Sequence, residues 1–269
     1  MNEKLEAFGE LLKIMDRLRA ECPWDRKQTF ESLRKLTIEE TYELADAILK
    51  ADSEEIKDEL GDLLLHIVFY AKIGSETSGF DILDVLNTIN EKLIYRHPHI
   101  YGNVNVKDDE EVKQNWEELK LKKGNRTVLG GVPVSLPALV KANRIQEKVR
   151  GVGFDWEKKE EVWEKLDEEI NELTYEISKI ETGRSANEDQ FPKIEEEFGD
   201  LFFTLINAAR LYGVDPENAL ERTNIKFMKR FNLLEEMTRK EGKRLQELSL
   251  EEMDKLWKKA KKSEKQNHG

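Results

Sequence analysis

The amino-acid sequence predicts an all-α protein of two tandem domains, each a bundle of four or five helices. Apolar residues recur at helical spacing over most of the chain, and no strand-like alternation of useful length is present. Six prolines and 15 glycines in 269 residues are too few for a turn-rich β protein or a disordered chain. A pair of acidic signatures occurs twice in the same order, which indicates an internal duplication.

Each acidic signature places two carboxylates three residues apart, on one face of a helix. Such like-charge pairs cost an isolated helix about 0.2–0.5 kcal/mol, which a hard cation held between two facing helices would offset. A solvated acidic face is the alternative interpretation, and the duplication weakens it. The signatures are Glu39-Glu40-x-x-Glu43 with Glu59-x-x-Asp62, and Glu168-Glu169-x-x-Glu172 with Glu197-x-x-Asp200.

Periodicity, caps and breakers predict the order of the helices. In the second helix, Thr37 is the expected N-cap, with Glu40 in capping-box position. Gly61 and Gly199 interrupt two helices and predict close approach of another helix or a ligand. The helices are expected at 3–20, 37–50, 52–74, 80–96, 109–123, 139–149, 160–180, 193–212, 216–235 and 249–262.

Glycines and prolines between residues 124 and 137 predict a linker. The N-terminal domain is therefore expected to span residues 1–123, and the C-terminal domain residues 138–269. A polar insertion, Thr182 to Pro192, is predicted to form a mobile loop of the second domain.

Composition excludes several classes of protein. A net charge of −12 and a pI near 5.1 argue against binding of a nucleic-acid strand, which needs a broad basic surface. A single cysteine, Cys22, excludes an intrachain disulfide and a cysteine-based metal cluster. The sequence shows neither a secretory signal nor an apolar stretch that could span a membrane, so a cytoplasmic protein without membrane attachment is expected.

The two signatures of each half are expected to converge as four oxygen donors between antiparallel helices. Oxygen-only ligation selects Mg²⁺ or Mn²⁺, whereas zinc or iron would normally recruit histidine or cysteine. The nearest histidine, His66, stands four residues after Asp62, but Thr204 takes that place in the second copy. We therefore predict a structural role for His66.

Basic and aromatic residues repeat as well. Lys92 and Arg96 match Lys226 and Arg230 in spacing, which puts both charges of each pair on one helical face. The repeated residues also include Asn90 and Asn224, Trp116 and Lys120, and Trp257 and Lys261. A metal cage beside such residues is suited to a metal-bound polyphosphate that carries a stackable base.

With these motifs in place, the sequence resembles the MazG family of nucleoside triphosphate pyrophosphohydrolases, within the all-α NTP pyrophosphatase superfamily. The resemblance covers nearly the whole chain, and the order of its motifs is highly specific. It includes both acidic signatures, Cys22-Pro23-Trp24-Asp25 with Gln28-Thr29, Gly131-Val132-Pro133 with Leu136-Pro137-Ala138-Leu139, and Val152-Gly153-Phe154-Asp155-Trp156.

The resemblance implies a homodimer that hydrolyses (d)NTP to (d)NMP and pyrophosphate with Mg²⁺, for which Mn²⁺ can substitute. The implied metal ligands are Glu40, Glu43, Glu59 and Asp62 in the first domain and Glu169, Glu172, Glu197 and Asp200 in the second. Glu39, Glu168 and Glu196, with Asp58, would support these ligands in catalysis or hold an additional metal ion. The implied substrate contacts are Asn224, Lys226, Arg230, Trp257 and Lys261 in the second domain and Lys92, Arg96, Trp116 and Lys120 in the first.

Three alternatives stay open at this point. The enzyme could be specialised for dUTP or phosphoribosyl-ATP, or it could also cleave pyrophosphate. One of the two domains could instead be a non-catalytic, metal-binding helical scaffold. The spacing of the motifs does not separate these alternatives, because groups that touch a base have no spacing signature.

Overall fold

The computed structural model describes residues 2–108, 111, 112, 115, 116, 119, 127–181 and 190–266. Regular secondary structure in these residues is helical throughout, without a β-strand. The chain divides into two compact units, Met1–Glu111 and Val112–Gly269. The prediction of tandem all-α units is confirmed.

The first unit is built around an antiparallel helical hairpin. The second and third helices form this hairpin, the first helix packs on the third, and the fourth helix also contacts the third. A short fifth helix follows the fourth directly. These elements are α1 (Asn2–Glu21), α2 (Phe30–Lys50), α3 (Ser53–Thr77), α4 (Ile82–Arg96) and α5 (Pro98–Tyr101).

A second hairpin organises the other unit. Its two helices pack along each other, and the preceding helix contacts the second arm of the hairpin and the helix that follows it. The last two helices pack together. These elements are α6 (Ala138–Arg150), α7 (Val162–Glu181), α8 (Gln190–Leu211), α9 (Pro216–Lys240) and α10 (Leu250–Gln266).

The predicted N-cap of α2 was wrong. The helix begins at Phe30, and Thr29 is its N-cap, with reciprocal hydrogen bonds to Ser32 of 2.9 and 3.2 Å. This capping box is not recognisable from the usual sequence pattern, because its third helical position holds serine instead of glutamate. Thr37 therefore lies inside the helix, and Glu40 has no capping role.

Other boundaries are close to those predicted. Asp52 caps α3, and Asp215 caps α9 by accepting a hydrogen bond of 2.8 Å from the Asn218 amide. The predicted loop ends earlier than expected, because α8 already begins at Gln190. Residues 182–189, and most of the helix predicted at 109–123, lie outside the described residues.

Arg19 fastens the turn after α1 to the rest of the first unit. Its guanidinium donates to the backbone carbonyls of Asp25 and Gln28 and forms an ion pair with Glu76 on α3. The guanidinium also lies 5.6 Å from the ring centroid of Phe69. The turn that contains Cys22-Pro23-Trp24-Asp25 is thereby held against the hairpin.

The two interrupting glycines behave differently from the prediction. A Cβ built on Gly61 or Gly199 would meet no described atom of the chain within 4 Å. Both residues are exposed. The close approach predicted from these glycines is therefore not made by the described residues of this chain.

None of the described helices combines the length and the apolar character needed to cross a bilayer.

Replacing Leu33 by alanine should destabilise the first unit by about 3 kcal/mol, because a buried leucine loses its contacts and leaves a cavity. Leu33 is 0% exposed and packs with Met15, Val68, Phe69 and Ile73. Urea denaturation followed by circular dichroism measures the effect. The control is Leu5→Ala on α1, where the side chain is 63% exposed and a change within about 0.5 kcal/mol is expected. Equal losses in the two variants would contradict this account of the core.

Candidate active site

The first hairpin brings three carboxylates together. Glu40 and Glu43 lie on α2, and Glu59 lies on α3. One oxygen atom from each of the three side chains lies within 4.8 Å of the other two. The helical spacing of three and the antiparallel packing of α2 on α3 thus produce the predicted cluster, which we call the first cage.

The second hairpin repeats the arrangement. Glu169 and Glu172 on α7 and Glu197 on α8 also present oxygen atoms within 4.8 Å of one another. Glu169 is only 4% exposed, so the second cage is more deeply buried at this position than the first cage is at Glu40. Two clusters of the same composition therefore occur at equivalent places on the two hairpins.

The predicted fourth ligand of each cage lies beside the closest three. The charge of Asp62 contributes to raising the pKa of Glu40, after burial, which is the largest cause. The charge of Asp200 acts in the same way on Glu197. Both aspartates are therefore close enough to the cages to affect the glutamates electrostatically.

The cages suit a divalent cation. Burial, followed by repulsion from neighbouring carboxylates, raises the pKa of Glu59 and of Glu197 above the ordinary value of 4.5. In addition, Glu59 Oε2 is buried without a hydrogen-bond partner among the described residues. A carboxylate oxygen in that position lacks a donor, and a hard cation would satisfy it.

The second cage contains a cation of its own. Lys165 Nζ lies 2.8 Å from Glu169 Oε1 and 3.1 Å from Glu168 Oε1. The hydrogen bond to Glu169 is the main cause that raises the pKa of Lys165, so the ammonium stays charged. The sequence signal for Lys165 is its position four residues before Glu169, on the same helical face, but it has no counterpart in the first copy.

The outer carboxylates lie at the edges of the cages. Glu39, Asp58, Glu168 and Glu196 are all exposed. Among these four, Glu168 has a described contact with the site through Lys165. The supporting role of all four stays a prediction.

A cavity of about 540 Å³ opens next to the second cage. Its lining includes Lys165, Glu169 and Asp200, which belong to or adjoin the second cage. The cavity is formed by α6, α7, α8 and the loop that joins α6 to α7. Its lining residues are Ile145, Gln146, Val149, Gly153, Phe154, Asp155, Trp156, Lys165, Glu169, Asp200, Phe203, Thr204, Asn207 and Arg210.

A buried guanidinium holds the loop wall of this cavity in place. Arg210 on α8 donates to Asp155 Oδ2 at 3.0 Å, and a second nitrogen pairs with Asp155 Oδ1. The side chain of Arg210 is 9% exposed. The loop carries Phe154 and Trp156, so this ion pair positions the two aromatic residues beside the second cage.

The predicted substrate contacts of the second unit lie on α9 and α10. The Trp257 ring lies 5.0 Å from that of Phe227, in the apolar cluster of these two helices. Asn224 donates to Glu221, and Lys226 and Lys261 are exposed. Neither these residues nor Arg230 line the cavity, so their substrate contacts stay predictions.

The predicted contacts of the first unit are less complete. Lys92 lines a shallow depression on α4 together with Phe80, and Arg96 is the last residue of that helix. Trp116, which was predicted as a contact of the first domain, falls within the second compact unit, Val112–Gly269, and is partly buried. Lys120 lies outside the described residues.

Replacing Glu59 by glutamine should raise the unfolding temperature of the metal-free protein at pH 7. The raised pKa means that the folded protein binds a proton here more tightly than the unfolded chain, so ionisation of Glu59 above its raised pKa destabilises the fold. The advantage of the variant should shrink as the pH falls through the raised pKa of Glu59, and it should vanish below the ordinary value of 4.5, where the carboxyl is protonated in the folded and the unfolded state. Thermal unfolding in a chelator measures both effects.

The matched control for Glu59→Gln is Glu54→Gln on the same helix. Glu54 forms an exposed ion pair with Lys57, so a change within about 0.5 kcal/mol is expected. A lower unfolding temperature of Glu59→Gln at pH 7 would contradict the repulsion inferred for the first cage.

Comparison with known proteins gives close relatives over the full length. A nucleoside triphosphate pyrophosphohydrolase/pyrophosphatase MazG from Thermotoga maritima is 44% identical over 97% of this chain and 98% of its own length. A nucleoside triphosphate pyrophosphohydrolase from Escherichia coli K12 is 41% identical over 97% of this chain and 99% of its own. The uncharacterized protein YabN of Bacillus subtilis is 43% identical over 97% of this chain and 53% of its own.

A family model described as the MazG nucleotide pyrophosphohydrolase domain matches the chain twice, at residues 28–101 and 157–234. Each match contains one hairpin and its complete cage. The chain therefore belongs to the MazG nucleotide pyrophosphohydrolase family and is an enzyme of the hydrolase class.

Proposed function

We propose that this enzyme is a Mg²⁺-dependent nucleoside triphosphate pyrophosphohydrolase that converts (d)NTP and water to (d)NMP and pyrophosphate. The observation that carries the proposal is the second cage, where a carboxylate cluster, an ammonium group and a cavity of about 540 Å³ adjoin one another. A cavity of this size lies within the range of small-ligand sites, about 300–1,000 Å³. The names of the full-length relatives support the same reaction.

Glu169, Glu172, Glu197 and Asp200 would hold the metal in the second unit. Bound Mg²⁺ would supply positive charge to the phosphate oxygens and lower the pKa of a coordinated water. All four ligands offer oxygen, which is the donor that this ion prefers.

Other residues of the second unit neutralise the charge of the phosphates and accept a proton. Lys165, which lines the cavity beside the second cage, neutralises negative charge on the phosphates. We assign the proton of the attacking water to Glu168, which contacts Lys165, or to Glu196, which is next to Glu197 in the chain. As the water oxygen bonds to phosphorus, the bond between the α- and β-phosphates breaks and pyrophosphate leaves with the electron pair.

The basic residues of α9 keep their predicted role in this proposal. Helix α9 packs against α8, which carries Glu197 and Asp200. Lys226 and Arg230 lie four residues apart on α9, as a pair of charges for the phosphate chain. Trp257 and Lys261 on α10 complete the predicted set.

We assign hydrolysis to the second unit, because among the described residues of the first unit no ammonium group pairs with a carboxylate of the first cage. Lys165 stands four residues before the first inner glutamate of the second cage, and Leu36 stands at that position in the first. Leu36 packs against the apolar core of the first unit. The first cage therefore lacks this substrate-facing charge.

The cavity-facing side of α8 also differs from the same side of α3. Counted from Asp62 and Asp200, Phe203, Thr204 and Asn207 correspond to Leu65, His66 and Phe69. Leu65 and Phe69 belong to the packed core, and His66 is buried. In the first unit, core side chains thus occupy the positions that line the cavity in the second unit. This difference favours the alternative that the first unit is a non-catalytic, metal-binding scaffold.

Replacing Glu172 by alanine in the full-length chain should lower kcat/KM for a deoxynucleoside triphosphate by about 100-fold or more, because a ligand of the catalytic metal is lost. The equivalent change in the first cage, Glu43→Ala, should retain most of the activity. Steady-state assays with Mg²⁺, reading monophosphate and pyrophosphate separately on a panel of triphosphates, measure both. Loss of activity in Glu43→Ala alone would reverse the assignment.

We also propose that the enzyme is a homodimer, supported by apolar side chains that the chain leaves uncovered. On α8, Phe198, Phe202 and Leu205 are exposed beside Gly199. On α3, an equivalent row of Leu60, Leu64 and Ile67 flanks Gly61. An apolar surface of this kind marks protein interfaces, and a glycine beside it allows a second copy to approach closely.

Sedimentation should therefore return about twice the chain mass of 31.5 kDa. Phe202→Asp should shift the protein toward monomer, because the dimer would bury an unpaired charge. Leu250→Asp, at a residue that is 83% exposed outside this face, should leave the mass unchanged. A wild-type monomer at assay concentration would contradict the proposed dimer.

A further inference from the structure

Gln146 on α6 is an uncharged polar side chain buried in the wall of the cavity. It is 3% exposed, and its Nε2 donates to the backbone carbonyl of Phe203 at 2.8 Å. Because a carbonyl can only accept, this hydrogen bond fixes which end of the amide faces α8. The other end, Oε1, is buried without a hydrogen-bond partner among the described residues.

A buried acceptor without a donor is unfavourable unless a ligand supplies one. Gln146 is separated from solvent, and its orientation is fixed by the backbone of α8. A group oriented in this way lowers the cost of ordering on ligand binding and discriminates strongly against ligands that lack the matching donor.

Asn207 adds a complementary donor to the same cavity. Arg210 donates to Asn207 Oδ1 from two nitrogens, at 3.0 and 2.7 Å. Because Oδ1 accepts from Arg210, the opposite end of the Asn207 amide is the donor Nδ2. The cavity therefore offers one fixed acceptor and one fixed donor, which is the pattern that the edge of a nucleobase can pair with.

The remaining walls suit a flat ring. Phe154, Trp156 and Phe203 line the cavity together with Lys165, Glu169 and Asp200, which lie at the second cage. A ligand that matches this cavity carries phosphates beside the second cage and a flat, partly apolar ring with an N–H donor beside the aromatic residues. The nucleobase of a nucleoside triphosphate has these properties.

We propose that Gln146 Oε1 accepts a hydrogen bond from an N–H group of the nucleobase, so that Gln146 is a specificity-determining residue of the second unit. The inference rests on the proposed function, because it assumes that the substrate is a nucleoside triphosphate with its phosphates at the second cage. It adds the group that recognises the base, which the acidic signatures do not contain.

The test compares substrates that differ in one N–H group. The pairs are dTTP with N3-methyl-dTTP, and dATP with the triphosphate of purine 2′-deoxyriboside, which lacks the exocyclic amino group. For the natural nucleotide that is hydrolysed faster, the wild-type enzyme should lose about tenfold in kcat/KM on its analogue. Gln146→Met keeps the length of the side chain but has no acceptor, so this variant should treat the two members of the pair alike.

A binding measurement separates recognition from folding. Gln146→Met also removes the donor to the Phe203 carbonyl, so thermal unfolding is recorded for each variant. Calorimetry should show the corresponding monophosphate binding about tenfold more weakly to the variant, while inhibition by pyrophosphate stays unchanged. Gln246→Met, at an exposed glutamine of the same unit, is the control and should change neither measurement.

Two results would overturn the inference. One is a wild-type enzyme that hydrolyses both members of each pair equally well. The other is a Gln146→Met variant that loses activity on a natural nucleotide and its analogue by the same factor. If the wild-type enzyme hydrolyses no triphosphate, the proposed function fails, and the monophosphate titration then decides alone on Gln146.

Discussion

The packing of two antiparallel helices forces three glutamates of each hairpin within 4.8 Å of one another. The apolar contacts that hold the hairpin together thus also create electrostatic repulsion, and burial strengthens it by removing water. The two cages differ in the group that can offset this repulsion. The second cage has Lys165 as an internal counter-ion, whereas the oxygen of Glu59 in the first has no donor among the described residues. Metal-dependent stability is accordingly expected to be greater in the first unit.

A shared scaffold serves two purposes in this chain. The four inner carboxylates are the same in both hairpins, but the positions one helical turn away have diverged. Leucine and phenylalanine make the first hairpin part of a closed core, whereas lysine and asparagine keep the second open to a ligand. A packed core gains stability by filling space, whereas a binding site needs that space free. The first unit can therefore have a stable core while the second unit binds a ligand.

Sequence alone predicted the helices and the inner carboxylates, because periodicity and repetition are local and visible signals. It missed the cap at Thr29, whose partner Ser32 departs from the usual pattern. It also missed Lys165 and Gln146, for a different physical reason. Lys165 differs between the two copies, so the repeat does not reveal it. The role of Gln146 depends on its hydrogen bond to Phe203, which lies on a helix distant in sequence. Tertiary contacts of this kind have no spacing signature.

The ion pair between Arg210 and Asp155 has a consequence for how such an enzyme can diversify. Arg210 orients both the aromatic loop and the amide of Asn207, and none of these groups is a predicted metal ligand. The proposed hydrolytic end and the proposed base-binding end of the site therefore rest on separate sets of residues. On this proposal, mutations around Arg210 would alter which nucleotide is accepted while the reaction itself is preserved, so new substrate preferences would arise by gradual change without passing through an inactive ancestor.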